Sequence, residues 1–179
     1  MQTWVTLLRA VNLGKVNKVP MADLRAGLTA AGFMNVRTYI QSGNILLDTP
    51  ESNREAVSVQ VQELIQREFG VSSPAVMVSP AELAAAVEHH PYLERGADPK
   101  ALRIMFLADE PDAERIASLD PDRSPGHRFT VEGRVIWLYI PQLQDSRLTN
   151  DYFDRRLGTV STLRNVSTCE AILKLLDAG

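Results

Sequence analysis

The run Arg9-Ala10-Val11-Asn12-Leu13-Gly14-Lys15-Val16-Asn17-Lys18 sets three cations, two side-chain amides and a flexible glycine just ahead of a helix start. Backbone N–H groups at a helix N-terminus carry partial positive charge, so such a loop can hold an anion. It is not a P-loop, because the GxxxxGK[ST] spacing is absent. Its other reading is a solvated loop with a turn glycine at Gly14. A second run, Thr162-Leu163-Arg164-Asn165-Val166-Ser167-Thr168, precedes the last expected helix. Arg164 there can clamp a phosphate or carboxylate bidentately or equally form a structural ion pair, while Asn165, Ser167 and Thr168 are natural caps. A third run, Thr38-Tyr39-Ile40-Gln41-Ser42-Gly43-Asn44, contains a serine but no GxSxG elbow and no implied base. Gln41, Ser42, Gly43, Asn44 and Thr168 are therefore read as structural. The expected ligand-facing group is Arg9, Asn12, Gly14, Lys18, Arg164 and Asn165.

Other chemistries find little support. His89 and His90 are adjacent, so on a helix they point about 100° apart; His127 stands alone. HExxH, CxxC and EF-hand patterns are missing, and there is no dinucleotide motif. No cofactor is implied. Cys169, the single cysteine, reads as a small core residue, although its place in a first helical turn can lower a thiol pKa. Asp151 and Asp154 beside Arg155 and Arg156 read as a solvated charged face.

The elements that must position these runs follow from periodicity and punctuation. Strands are expected at 3–9, 36–40 and 45–48. The last two flank a hairpin at Gln41–Asn44. Further strands are expected at 75–78, 102–107, 127–131 and 135–140, the last pair around Glu132-Gly133-Arg134. A helix starts near Pro20 and ends at Gly32. A second starts at Thr49–Ser52, with Ser52 and Glu55 at capping-box spacing, and closes at Gly70. Others begin at Ser79, Pro111, Thr149 and Ser167. The order predicts an α+β fold of two ferredoxin-like (βαββαβ-type) subdomains. These are 1–90, a linker at 91–101, and a diverged or incomplete copy at 102–179 with an added C-terminal helix. With strands one and three taken as parallel, the basic loop and the Gln41–Asn44 hairpin would lie at opposite ends of the first sheet.

The 179 residues are 45% hydrophobic and 23% charged, with a formal net charge of −3. That composition excludes a disordered chain. No apolar run approaches a membrane span, and the near-neutral balance argues against a dedicated nucleic-acid binder. The average hides an asymmetry: residues 1–47 hold Arg9, Lys15, Lys18, Arg25 and Arg37 against Asp23 alone, a local +4. With one cysteine and no signal-peptide pattern at the N-terminus, a cytoplasmic protein is expected.

The three runs together resemble a family of uncharacterised bacterial proteins, the domain of unknown function (DUF) 1697 family. The resemblance rests on Leu7–Arg9, Asn12, Gly14, Asn17-Lys18 and Pro20-Met21, on the intact Thr38–Asn44 run, on Ser146-Arg147-Leu148, and on Thr162–Thr168. Lys15 stands where a second glycine is usual, and Val166 where a tryptophan is usual. The resemblance implies ferredoxin-like subdomains and three marked stretches, and supplies no activity, cofactor or substrate. Four functions remain open: binding of an anionic or phosphate-bearing small molecule, an RNA or single-strand binding module, an enzyme acting on a phosphorylated metabolite, and a structural or interaction protein.

Overall fold

The computed structural model describes residues 1–178, with Glu94 described by its backbone only. The chain divides into two compact units, Met1–Ala81 with the segment from Leu175 onward, and Glu82–Lys174.

The first unit contains β1 (Gln2–Leu8), α1 (Met21–Ala30), β2 (Met34–Tyr39), β3 (Asn44–Thr49), α2 (Arg54–Phe69) and β4 (Ala75–Val78). Its sheet has the order β2-β3-β1-β4, with every neighbouring pair antiparallel. The amphipathic stripes of both helices lie on one face. Leu24 and Leu28 of α1 and Val57, Val61, Leu64 and Ile65 of α2 pack on Trp4, Ile45, Leu47 and Met77 of the sheet. Each fully buried aliphatic side chain of this kind contributes about 1.5–3 kcal/mol from leaving water. The cap of α2 is Asn53, whose side chain accepts from the N–H groups of Glu55 and Ala56. The expected caps at Thr49 and Ser52 lie too early. Gly70 closes the helix in the left-handed conformation (φ 65°), as its position implies.

One expectation is overturned. β1 and β3 run antiparallel. Because α1 carries the chain from β1 to a parallel β2 with β3 between them, β3 must oppose both. The end of β1 and the start of β3 therefore lie at the same end of the sheet, where Leu7 pairs with Asn44.

The second unit begins within α3 (Pro80–Glu88). The segment expected as a linker carries α4 (Pro91–Glu94) and a 3-10 turn (Pro99–Ala101). β5 (Leu102–Leu107), α5 (Ala113–Ala117), β6 (Arg128–Glu132), β7 (Val135–Tyr139), α6 (Asn150–Leu157), β8 (Ser161–Asn165) and α7 (Val166–Asp177) follow. Its antiparallel sheet has the order β6-β7-β5-β8, the same as the first. This sheet thus has four strands like the first: β8, where no strand is expected from the sequence, pairs along β5, with Met105 opposite Leu163. Phe129 and Phe153 meet edge to face at 5.3 Å between ring centroids in the core of this unit.

His90 links α3 to α4 and is fully buried. Its Nε2 donates to the carbonyl of Arg103 at 3.1 Å, and its Nδ1 has no hydrogen-bond partner among the described residues. Burial disfavours the charged ring and lowers its pKa below 6.5, with the Arg103 bond opposing in part. The unfolded chain then takes up a proton before the native one does. Stability is held above about pH 6.5 and is lost as the pH falls toward the native pKa, at no more than about 1.4 kcal/mol per pH unit from this one group. Thermal melts from pH 8 to pH 5 should show that decline, and the decline should flatten in His90→Phe. An equal slope in the variant would assign the effect elsewhere.

Candidate functional site

Two of the three runs meet in the first unit. The N–H of Leu8, at the end of β1, donates to the carbonyl of Gly43 at 2.9 Å. One residue on, the N–H of Arg9 donates to Pro74 at 3.1 Å, and the carbonyl of Arg9 accepts from Ser73 Oγ at 2.7 Å. The loop leaves the sheet braced on both sides.

Asn12 holds the loop together. Its Nδ2 donates to the carbonyls of Val19 (2.9 Å) and Gln41 (2.7 Å), and its Oδ1 accepts from the N–H of Val19 (2.9 Å). One amide thus joins the start of the loop, its end and the hairpin. Asn17 donates to the carbonyl of Ala10 at 2.8 Å, and the N–H of Asn12 donates to the carbonyl of Asn17 at 2.9 Å. At the tip, the N–H of Val16 donates to Leu13 at 2.9 Å, so Leu13–Val16 is a tight turn. Gly14 takes φ 57°, and Lys15 lies outside the left-handed region. That matches a turn needing glycine only at its first central position. The turn therefore accepts a lysine at residue 15.

The hairpin is equally constrained. Asn44 is fully buried, and its Nδ2 donates to Tyr39 O (3.1 Å) and Ser42 Oγ (3.0 Å). A Cβ added at Gly43 would lie 2.6 Å from Leu8 Cβ and 2.9 Å from Val11 Cγ2, and Gly43 has φ 80°. Glycine is needed there for space and for conformation. Around this junction Ala10, Asn12, Asn17 and Ile40 all take φ between 50° and 58°. Such positions are uncommon for alanine and unusual for a β-branched residue, and they tend to cluster at ligand clamps and switches.

The cations sort accordingly. Arg25 donates to Thr38 Oγ1, and Arg37 to the carbonyl of Leu175. Lys15 and Lys18 are exposed on the loop, and Arg9 is half-buried at its base. No carboxylate occurs in residues 9–18 or 38–44. Leu13 and Val16 are also exposed at the tip.

The third run lies in the second unit. Arg164 sits on β8, and α7 starts at Val166, directly after it. Arg164 is buried, and its Nη1 donates to Thr162 Oγ1 (2.8 Å) and to the carbonyl of Leu163 (2.9 Å). Burial lowers its pKa to about 10, so it stays charged at neutral pH. Asn165 is exposed at the end of β8, and Thr168 is half-buried in α7. Val166 is buried. Cys169 is buried, and desolvation, opposed in part by the charge of Arg164, pushes its thiol up to about 12. Cys169 thus sits as a small core residue, and desolvation outweighs any lowering by the first helical turn.

Periodicity could not have shown the bracing by Ser73 and Pro74 or the left-handed backbone at Ala10 and Ile40. Among the described residues, no three of His, Cys, Asp and Glu are grouped to share a metal ion. No helix among them is long and apolar enough to cross a membrane.

The family model described as "Protein of unknown function (DUF1697)" matches residues 1–137. The match spans the loop and the hairpin and stops short of Thr162–Thr168. The fold is similar to that of the conserved bacterial protein SP0830 from Streptococcus pneumoniae, with 24% identity, a TM-score of 0.70 and 99% of each chain covered. No curated protein matches the chain.

Gly43→Ala should destabilise by roughly 2–4 kcal/mol, from left-handed strain plus overpacking on Leu8 and Val11. Gly14→Ala meets open space and should cost only about 1–2 kcal/mol. Asn12→Ala strands both polar groups of buried Val19 and should cost about 1–3 kcal/mol. Denaturant unfolding of the three variants measures this ranking. Equal losses at Gly43 and Gly14 would contradict the close packing.

Proposed function

The chain belongs to the DUF1697 family, whose members are proteins of unknown function, and from that premise we propose that it binds an anionic or phosphate-bearing small molecule at the Arg9–Lys18 loop. Arg9, Lys15 and Lys18 would supply the charge. Asn12 and the Gln41–Asn44 hairpin would hold the loop in shape. The observation that carries this reading is the junction itself. Three cations stand on a loop without a carboxylate, cross-braced by Asn12, with four non-glycine residues held left-handed around it. A pre-shaped loop loses less conformational entropy on binding than a loose one. Arg164 and Asn165 lie in the other unit, and this reading does not call on them. Each unit is read as ferredoxin-like because both sheets share the order second-third-first-fourth strand with helical crossovers.

Pyrophosphate titrated at low salt should shift the backbone amide NMR signals of Gly14, Lys15 and Ser42 saturably. In Lys15→Gln/Lys18→Gln the affinity should fall at least about tenfold, the equivalent of about 1.4 kcal/mol, while the melting temperature without ligand stays nearly unchanged, since both side chains are exposed. Absence of saturable shifts at these amides, or shifts that persist undiminished in the double variant, would refute the reading.

A further inference from the structure

The second unit holds a cationic cavity that the reading above does not use. It has a volume of about 270 Å³ and is lined by Arg123, Thr149, Asp151, Tyr152, Arg155 and Arg156. The guanidinium of Arg123 lies 4.3 Å from the centroid of the Tyr152 ring, and that of Arg156 lies 6.0 Å from it. A guanidinium seated on an aromatic face keeps its N–H edges available for a planar acceptor. The ring is itself fixed: the Tyr152 hydroxyl accepts from the N–H of Asp120 at 2.9 Å. That bond ties the loop carrying Arg123 to α6, which carries Tyr152, Arg155 and Arg156. Thr149 Oγ1 accepts from the N–H of Tyr152 at 3.2 Å, which leaves the hydroxyl proton available to a ligand.

The charge balance favours an anion. Three guanidinia face one carboxylate, Asp151, which meets Arg155 at 3.4 Å in an exposed pair. Such a pair is screened and easily exchanged. The other carboxylates of the Arg123 loop, Asp120 and Asp122, do not line the cavity. The volume falls just below the usual range for drug-sized ligands, so it suits a small metabolite. Arginine forks match the paired oxygens of phosphate.

We propose that this cavity binds the phosphate group of a small phosphate ester, with Arg123 and Arg156 as its principal contacts. The site lies wholly in the second unit, so it stands or falls independently of the Arg9–Lys18 loop.

Glycerol 3-phosphate titrated at low salt should saturably move the backbone amide NMR signals of Tyr152 and Arg155, which line the cavity and are kept in every variant below. Binding read at these two signals should weaken at least about tenfold in Arg123→Gln/Arg156→Gln and stay within about twofold in Lys15→Gln/Lys18→Gln. Asp151→Asn, which keeps all three guanidinia and removes the competing carboxylate, should tighten binding several-fold, a gain that misfolding cannot produce. The proposal is overturned if neither signal saturates by about 10 mM. It is equally overturned if Arg123→Gln/Arg156→Gln responds as the wild type does. Displacement of the ester by a single-stranded decanucleotide at about a hundredfold lower concentration would reassign the cavity to nucleic acid, whose many phosphates bind together.

Discussion

The close approach of Gly43 to Leu8 governs the first unit. The Leu8 N–H reaches the Gly43 carbonyl, and any side chain at residue 43 would collide with Leu8 and Val11. This contact ends the β1–β3 ladder and turns the chain outward at Arg9. It also brings Gln41 within reach of Asn12. The loop cannot adopt its shape without the hairpin, and the hairpin cannot close without glycine. Two sequence runs thirty residues apart thus form one structural feature.

The same junction recurs in the second unit with different chemistry. The N–H of Leu107 donates to the carbonyl of Arg134 at 2.9 Å, and the N–H of Ala108 donates to Val160 at 2.8 Å. These bonds correspond to those of Leu8 and Arg9 with Gly43 and Pro74. Here a side chain does the bracing: Arg134 Nε donates to the carbonyls of Leu107 and Ala108, and Nη1 pairs with Glu82 at 2.9 Å. Where the first unit has three loop cations outside its sheet end, the second spends its arginine on the backbone. Equal topology therefore does not place an equal site at the equal position.

Much of the scaffold was legible in the residues. Gly70 and Gly158 mark helix ends in the left-handed conformation, and both hairpins fall at their glycines. What escaped has a physical reason. β8 reads Ser-Thr-Leu-Arg-Asn, yet Ser161 and Thr162 are fully buried. Ser161 Oγ accepts from Asn150 Nδ2 at 2.8 Å and donates to Asp154 at 2.6 Å. A buried strand whose polar groups are paired by residues outside it carries no apolar signature. The cap at Asn53 was displaced because Thr49 and Ser52 satisfy the same local rules, and only the path of the chain selects among them. The antiparallel relation of β1 and β3 follows from crossover topology, which no local pattern records. Once that relation is corrected, the loop and the hairpin, expected at opposite ends, become a single candidate site.

The charge distribution then acquires a structural meaning. Of the five cations in residues 1–47, Arg25 and Arg37 serve the fold through Thr38 and Leu175, and Arg9, Lys15 and Lys18 remain with the loop. Arg164 shows the converse. Its guanidinium is buried against Thr162 and Leu163, and its pKa is lowered to about 10 by desolvation. A buried charge that keeps its proton must be held by hydrogen bonds inside the protein, because removing one partner of such a group leaves an uncompensated cost. That requirement engages Arg164 within the fold, whereas Lys15 and Lys18 stand exposed on a braced loop and Arg123 and Arg156 stand exposed beside the Tyr152 ring. A net charge of −3 therefore constrains the long-range field of the molecule and leaves local anion recognition to geometry.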